Sequence, residues 1–395
     1  MIKALSNRVG NFLLILAIIS YPIQSLSFRF YGGRYDFSIF LFSIGALLIF
    51  PGEFYKKNKV ILFIFLLTIY ELFLLSFFDV APIRRLISSM IWISFSIYVF
   101  KSGYFNQLKL KTITNSILYA GIFSLSISLF QKFFLNQPRV MGFFEEPSYA
   151  GLFYYAMAIG FLAKLLFGNF FSKSNIFLFL VFLFFGFLTK SMQIFTFLIM
   201  LSIIFLIKNN AKKLMLIIIG FFGLCFFILL LSALSKANFS ACNFFDHDKS
   251  MNLSLLSWLR GFDQAISSLN KSIFFGLGFG STGYFTFESL CSQSLDSLGY
   301  GNLNLTDSYS MLWRLIIECG IFGTGVILLF FLSKYFSFLE NIKLKNEETD
   351  YIFILFFSFF LFLGILLKEP SYSSSQFFML IYLFGILNFY KIKKI

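Results

Sequence analysis

The chain has 395 residues, of which 58% are hydrophobic and only 13% are charged. A chain this apolar cannot hide its side chains inside a water-soluble core, so the composition excludes a soluble enzyme and predicts a protein whose solvent is the lipid bilayer. The formal net charge is +14. No basic run interleaved with aromatic residues stands outside the apolar segments, so we expect no nucleic-acid partner.

The N-terminal segment includes Lys3 and Arg8, as the start of a signal peptide would. No small-residue cleavage site follows the apolar stretch from Asn11, so we interpret this stretch as the first membrane helix. Further apolar stretches long enough to cross a bilayer, or nearly so, follow along the chain. We predict 12 membrane helices in an all-α polytopic protein, at residues 11–28, 37–50, 60–78, 86–100, 113–131, 148–167, 175–189, 192–207, 214–232, 308–332, 351–367 and 374–390.

The lysine residues indicate how these helices are oriented. With a cytoplasmic N terminus, alternate loops place 18 of the 24 Lys residues on the inner side and 6 on the outer side. Because basic residues are enriched in cytoplasmic loops, we predict a multi-pass protein of the bacterial inner membrane with both termini in the cytoplasm.

The arginine residues divide differently, since only Arg8 of the 8 Arg residues lies inside. Arg presents a planar fork of donors to phosphate or carboxylate oxygens, and it stays charged in a low dielectric. This division indicates an anionic ligand on the outer side. The alternative is that the outer Arg residues pair with the outer acidic residues.

One long polar segment, Ser232 to Thr306, separates the ninth and tenth predicted helices and lies outside in this topology. It is too long to be a connector alone, so we predict a single integral membrane domain, residues 1–395, with this periplasmic loop within it. Residues 255–266 have apolar positions at helical spacing. This pattern predicts an amphipathic helix on or near the membrane surface, ended by the glycines of residues 276–280.

Two cysteines, Cys242 and Cys291, lie in this loop and therefore in an oxidising compartment. We predict a disulfide between them, and the alternative is two unpaired thiols. Asp246-His247-Asp248 has the Asp-x-Asp form that binds a metal in some glycosyltransferases, but we interpret it as a solvated acidic turn. No Cys or His cluster has metal-ligand spacing, so we expect neither a metal nor a cofactor.

Four segments resemble Wzy-type O-antigen and capsule polymerases, and they follow one another in the family's order. The segments are Pro138–Gly151 with its Arg, Gly, Phe and Glu-Pro-Ser, the turn Thr189-Lys190-Ser191, the loop helix and Gly-rich end in Trp258–Gly280, and the helix start with Glu and two Gly in Asp307–Gly323. The clearest departure is Asp307-Ser308, because ligases of the same superfamily and many polymerases carry His followed by Asn there.

The resemblance implies a GT-C-like helical fold and the polymerisation of oligosaccharide repeat units carried on undecaprenyl diphosphate. Each glycan is transferred as a block onto the sugar of another lipid-linked unit at the periplasmic face. The chemistry needs a cation for the departing diphosphate, a base for the acceptor hydroxyl and a lateral opening for two lipids. Expected partners are the lipid-linked oligosaccharides, membrane lipid, a chain-length regulator and a flippase.

Three other functions fit parts of this pattern. An O-antigen ligase shares the superfamily and the outer loop, but Asp307 disfavours it. A lipid-linked oligosaccharide flippase or another transporter would suit 12 helices. Transporters generally show two related halves with mid-membrane polar residues in both, whereas here the polar groups gather at one face. A non-catalytic scaffold of polysaccharide export is the third.

The candidate cations are Arg139, Arg260 and Arg314, the three Arg residues inside these segments, and we assign them to diphosphate binding. Arg314 and Glu318 are four residues apart, so they share one helix face. An intramembrane charge must face the interior, which predicts an Arg314–Glu318 pair. Such a pair either serves the site or fixes helix packing.

The candidate bases are Asp307, which stands where relatives carry His, and Glu146 as the second choice. Both acids lie on the outer side and are ionised near neutral pH in water. Glu146 has a simpler explanation, because Glu145 or Glu146 could cap the sixth helix ahead of Pro147.

Overall fold

The computed structural model describes residues 2–24, 27–30, 33–49, 83–104, 108–168, 172–191, 193–207, 242, 253–283, 289–301, 309–344, 349–368, 371 and 374–393. The helices are α1 (Ile2–Ser20), α2 (Phe37–Ile49), α3 (Ile83–Tyr104), α4 (Leu110–Phe133), α5 (Pro147–Phe167), α6 (Lys173–Leu188), α7 (Gln193–Ile207), α8 (Leu253–Lys271), α9 (Leu290–Ser297), α10 (Met311–Leu344), α11 (Thr349–Lys368) and α12 (Ser375–Lys393). Strands β1 (Ser27–Phe30) and β2 (Gly33–Asp36) form a short antiparallel hairpin between α1 and α2.

At least four helices are long and apolar enough to cross a membrane: α4, α5, the Met311–Leu339 part of α10, and α11. Helices α1, α2, α6, α7 and α12 contain shorter apolar stretches. The predicted helical character is therefore confirmed, and the long apolar helices are compatible with a membrane protein. The count of 12 spans stays a prediction, because the predicted helices at 60–78 and 214–232 lie outside the described residues.

The other ten predicted helices each overlap a helix of the structure, and the predicted loop helix at 255–266 lies within α8. The first one was misplaced, since α1 ends at Ser20 whereas the prediction ran to residue 28. Pro22 explains the difference, because proline lacks an N–H and disfavours helical backbone in the residue before it. The apolar run continues past this proline, so hydropathy alone overran the end of the helix.

Helices α5 and α11 form the centre of the bundle. Residues 150–161 of α5 and 351–362 of α11 are all buried. The two helices pack closely where the Phe353 ring lies against Gly160, since a Cβ added at Gly160 would be 2.7 Å from a ring carbon. Helix α6 packs on α5, α3 on α12, and α1 on α2.

Hydrogen bonds and ion pairs between helix ends divide those ends into two faces. At one face, which we call the upper face, Gln24 Nε2 donates to Ser375 Oγ at 3.3 Å, and Ser375 Oγ donates to Asp36 Oδ2 at 2.7 Å. At the opposite, lower face, Lys164 pairs with Asp350 at 2.8 Å. Consecutive helices run in alternating directions, so their other ends fall into the same two groups. The helix ends that the sequence assigns to the outer side therefore lie at the upper face.

Candidate functional site at the upper face

The turn between α4 and α5 carries Arg139 and Glu146, and a buried glutamine of α4 holds it in place. Gln131 Oε1 accepts hydrogen bonds from the backbone N–H groups of Met141 and Gly142 at 3.0 and 2.9 Å. Gln131 Nε2 donates to the Gly142 carbonyl at 2.8 Å. Three bonds from one side chain therefore fix the turn to the end of α4.

Arg139 is exposed and bonds to the turn between α6 and α7. Its Nε donates to the Thr189 carbonyl at 3.0 Å, and its Nη2 donates to the Lys190 carbonyl at 3.3 Å. These carbonyls follow the end of α6, where a cation offsets the helix dipole. Gly151 lets α5 approach the same turn, since an added Cβ would lie 2.7 Å from Ser191 Oγ. The first two segments that resemble the polymerases therefore contact each other.

Glu146 occupies the N-cap position of α5, with Pro147 as the first helical residue, but its side chain accepts no hydrogen bond from the helix backbone. Ser148 Oγ donates to Glu146 Oε2 at 2.9 Å, and Lys368 Nζ lies 3.8 Å from the same oxygen. The Glu146 side chain is 55% exposed. Capping therefore does not account for Glu146, whose carboxylate has a cation beside it.

Lys368, in the last turn of α11, is the site residue that the sequence analysis missed. Its Nζ donates to Tyr309 Oη at 2.6 Å and lies 3.8 Å from the centre of the Tyr309 ring. Lys368 therefore links the end of α11 to the starts of α5 and α10. One signal could have pointed to it, because it is among the 6 Lys residues predicted on the outer side.

Helix α10 is broken at Gly320, whose φ of 66° and ψ of −173° are not helical. Residues 273–278 insert their backbone at the break. The hydrogen bonds run from Leu277 N–H to Ile317 O (2.8 Å), Gly278 N–H to Glu318 O (3.0 Å), Ile321 N–H to Ile273 O (3.0 Å) and Phe322 N–H to Phe274 O (3.2 Å). The prediction of one continuous helix at 308–332 is therefore wrong, because the helix is interrupted at Gly320.

The inserted segment replaces the helical hydrogen bonds that the break removes. In a continuous helix the amides of residues 321 and 322 would donate to the carbonyls of residues 317 and 318. In the structure all four groups bond to residues 273–278 instead. Irregular backbone inside a membrane protein requires such internal partners, because lipid offers none.

Two glycines, Gly276 and Gly320, allow this close approach. A Cβ added at Gly276 would lie 2.5 Å from the Glu318 carbonyl oxygen, and one added at Gly320 would lie 2.5 Å from Gly276 N. Both residues also have positive φ angles, of 73° and 66°, which L side chains rarely adopt. The third and fourth segments that resemble the polymerases therefore interlock through their backbones.

Glu318 is fully buried beside this break. Its Oε1 accepts from Arg314 Nε at 2.9 Å and from Thr282 Oγ1 at 3.0 Å. The Arg314–Glu318 pair that the sequence predicted is thus present, and Thr282 joins it to the segment that contacts α10. This arrangement shows the packing role, while diphosphate binding by Arg314 stays a prediction.

Arg260 lies on α8, which packs against the start of α10. The Trp258 and Phe262 rings contact the Trp313 ring, with centroids 5.0 and 5.1 Å apart. Arg260 is only 1% exposed, and its Nη1 donates to the Gly301 carbonyl at 2.6 Å. Arg260 therefore ties α8 to the chain ahead of α10.

The three predicted arginine cations bond to different partners and do not contact one another in the hydrogen bonds described above. Of the two predicted bases, Glu146 lies beside a cation, Lys368. Arg139 is exposed, Arg314 is partly buried and Arg260 is buried. Glu146 faces Lys368, whereas Asp307 lies outside the described residues.

The structure joins Cys242 and Cys291, the pair for which we predicted a bridge, in a disulfide whose Cα atoms are 5.4 Å apart. Both cysteines belong to the same buried apolar cluster as Leu256 and Leu259, so the bridge joins residue 242 to α9 and packs against α8. The acidic turn at 246–248 lies outside the described residues. In the part of the chain that the structure describes, no group of three or more His, Cys, Asp or Glu residues could hold a metal ion.

An apolar cavity of about 400 Å³ lies between α3, α10, α11 and α12. Phe279, from the chain that follows the inserted segment, forms part of its wall. Met311, Ile365 and Phe377 line it near the upper ends of α10, α11 and α12. The broken helix α10 therefore forms one wall of the cavity, which reaches the upper ends of α10, α11 and α12.

No family model matches this chain, and no curated protein matches it. The fold and the site define the class, a helical protein with at least four helices able to cross a membrane. The resemblance to one family rests on the four sequence segments alone.

Proposed function

We propose that this chain polymerises undecaprenyl-diphosphate-linked oligosaccharide repeat units into O-antigen or capsular polysaccharide at the periplasmic face of the bacterial inner membrane. One observation carries the proposal: the four segments that resemble the polymerases meet as two contacting pairs. Arg139 joins the first pair, and Gly276 and Gly320 interlock the second. Lys368 lies between the pairs, within reach of both Glu146 and Tyr309.

In the proposed reaction, the acceptor hydroxyl oxygen forms a bond to the anomeric carbon of the donor glycan. The bond from that carbon to the donor's phosphate oxygen breaks, and the departing diphosphate keeps the electron pair. A base accepts the hydroxyl proton, and fixed cations stabilise the diphosphate. Asp307 is the proposed base, with Glu146 as the second choice, and Arg139, Arg260 and Arg314 are the proposed cations.

Two observations support a periplasmic position for the upper face. The Lys distribution predicts that the upper helix ends lie outside. The loop between the ninth and tenth predicted helices contains the Cys242–Cys291 disulfide. Disulfides persist in oxidising compartments such as the periplasm. A GT-C-like arrangement of 12 helices completes the proposal.

Deletion of the gene in its host, followed by gel analysis of lipopolysaccharide, tests this function. If the chain is the polymerase, the deletion strain should make lipopolysaccharide with a single repeat unit. A plasmid copy of the gene should restore long chains. A complete absence of repeat units on the lipid A core would instead indicate the ligase or the flippase. Unchanged chain length would leave the proposal without support.

A further inference from the structure

The Lys368–Tyr309 contact and the apolar cavity adjoin each other on the same helices. Phe362 and Ile365 line the cavity, and Lys368 follows at the same three-residue spacing along α11. Residues three apart are neighbours on a helix surface, so Lys368 lies one turn beyond Ile365 at the upper end of α11. Met311, two residues after Tyr309, also lines the cavity. The Lys368 cation and Tyr309 therefore lie about one helical turn or less along the chain from residues of the cavity wall.

The ammonium of Lys368 is held in position by an aromatic residue and keeps donors for an anion. Its Nζ donates to Tyr309 Oη at 2.6 Å, and the ring face supports the charge at 3.8 Å from the centroid. The Glu146 carboxylate oxygen, at 3.8 Å, is beyond hydrogen-bond distance. An ammonium has three donors, so the donors that Tyr309 does not use can bond to phosphate oxygens.

The cavity itself fits hydrocarbon. Among the described residues that line it, all are apolar except Ser96, whose hydroxyl donates to the Trp92 carbonyl at 2.8 Å. Its volume of about 400 Å³ is in the range of small-molecule binding sites. A ligand that complements both parts has a long apolar chain with an anion at one end.

We propose that Lys368 and this cavity form one binding site for a prenyl diphosphate lipid. The diphosphate accepts hydrogen bonds from Lys368, and the prenyl units nearest the head lie in the cavity. Charge-assisted bonds to phosphate oxygens are among the stronger hydrogen bonds in proteins. The choice of a prenyl lipid rests on the proposed function, which supplies this class of carrier.

Binding can be measured on the purified full-length chain in phosphatidylcholine nanodiscs, with undecaprenyl diphosphate as the ligand and native mass spectrometry as the readout. We expect Lys368→Gln to weaken binding about tenfold or more, because a charge-assisted bond is lost. Ile365→Trp, which fills the cavity, should weaken binding too. Lys132→Gln is the matched control on the same face, in the last turn of α4, and should bind as the parent does.

Competition on the parent protein tests the two parts without any substitution. Geranylgeranyl diphosphate should displace the ligand, while geranylgeraniol, which lacks the anion, and inorganic pyrophosphate, which lacks the chain, should compete at least about tenfold less well. Thermal unfolding of each variant shows whether it is folded. A failure of Ile365→Trp to fold leaves Lys368→Gln and the competition series as the test.

Several results would overturn this site. They are unchanged binding by folded Lys368→Gln, equal competition by geranylgeraniol or by pyrophosphate, and equally tight binding of phosphatidylglycerol, which would make it a general anionic-lipid site. The proposed function can fail separately. If binding depends on Lys368 but the deletion strain makes unchanged polysaccharide, the lipid site stands and the polymerase function is rejected. If binding does not depend on Lys368 but the deletion strain has a polymerisation defect, the polymerase function stands and the lipid site is rejected.

Discussion

Glu318 and Glu146 carry the same chemical group in opposite surroundings. Glu318 is fully buried and bonds to Arg314 and Thr282, whereas the Glu146 side chain is 55% exposed with Lys368 at 3.8 Å. A buried carboxylate that loses its partner destabilises the fold, while an exposed one costs little. Burial therefore gives Glu318 a structural role and leaves Glu146 accessible to a substrate.

Arg314→Met should lower the stability of the protein by about 3–5 kcal/mol, because it leaves Glu318 buried without its cation. The double variant Arg314→Met/Glu318→Gln should recover most of that loss, since it removes the unpaired charge. Thermal unfolding in detergent measures both. If Arg314 also binds diphosphate, the double variant will be folded but will give single-repeat product. Parental stability of Arg314→Met would show that the pair does not hold the fold.

Asp307→Asn should give an inserted protein that yields only single-repeat product, because the amide cannot accept the hydroxyl proton. The measurement is lipopolysaccharide chain length at matched expression, with Lys132→Gln as the control of parental chain length. Normal chains from Asp307→Asn would remove Asp307 as the base. The test would then pass to Glu146→Gln.

Among the elements, α10 shows what a break in an apolar helix requires. The amides and carbonyls on either side of Gly320 bond to residues 273–278, which come from a different part of the chain. The break therefore exists only together with that segment. The chain that follows the inserted segment places Phe279 in the cavity wall and Thr282 against Glu318. The break in α10 therefore helps to position both the cavity wall and the partner of the buried carboxylate.

Gly320→Ala should prevent this insertion, because its Cβ would lie 2.5 Å from Gly276 N and because its φ is 66°. We expect a large loss of folded protein and of polymerisation. Gly325→Ala, in the same helix with nothing within 4 Å of an added Cβ, is the matched control. It should be neutral or stabilising by up to about 1 kcal/mol. Equal yields of folded protein from the two variants would contradict the interlock.

The helices were predictable from sequence because a long apolar run is a local signal, and the cysteine pair was predictable because both thiols lie in one loop. The break at Gly320 was not, since glycine is common in membrane helices and its partner segment is remote. Lys368 escaped for a related reason, because its contacts with Glu146 and Tyr309 arise only when three helix ends meet. For Arg314 the sequence left a binding role and a packing role open, and its contact with Glu318 shows the packing role while binding stays a prediction.

At the scale of the whole molecule, the two faces differ in their chemistry. The upper face contains Glu146, Lys368 and the exposed Arg139, and the lower face contains the Lys164–Asp350 pair. The cavity lies nearer the upper-face residues, since Ile365 and Met311 line it close to Lys368 and Tyr309. The proposed lipid site therefore has both its cation and its cavity toward the upper face.

Cysteine labelling in cells tests the orientation of these faces. In a background with Cys225→Ser and Cys319→Ser, Lys190→Cys should react with a membrane-impermeant maleimide once the outer membrane is permeabilised. Lys173→Cys should react only after lysis, because it lies at the other end of α6. Both side chains are exposed, so they form a matched pair. The opposite pattern would place the upper face in the cytoplasm.

Reconstitution tests the central claim most directly, with the purified chain in liposomes and an undecaprenyl-diphosphate-linked repeat unit as the only substrate. The polymerase predicts a ladder of lipid-linked products spaced by whole repeat units, formed without nucleotide sugars and in the presence of EDTA, and absent for folded Asp307→Asn. Unchanged substrate with folded parent protein would contradict the polymerase function. A ladder that forms only with a divalent ion would contradict the metal-independent mechanism.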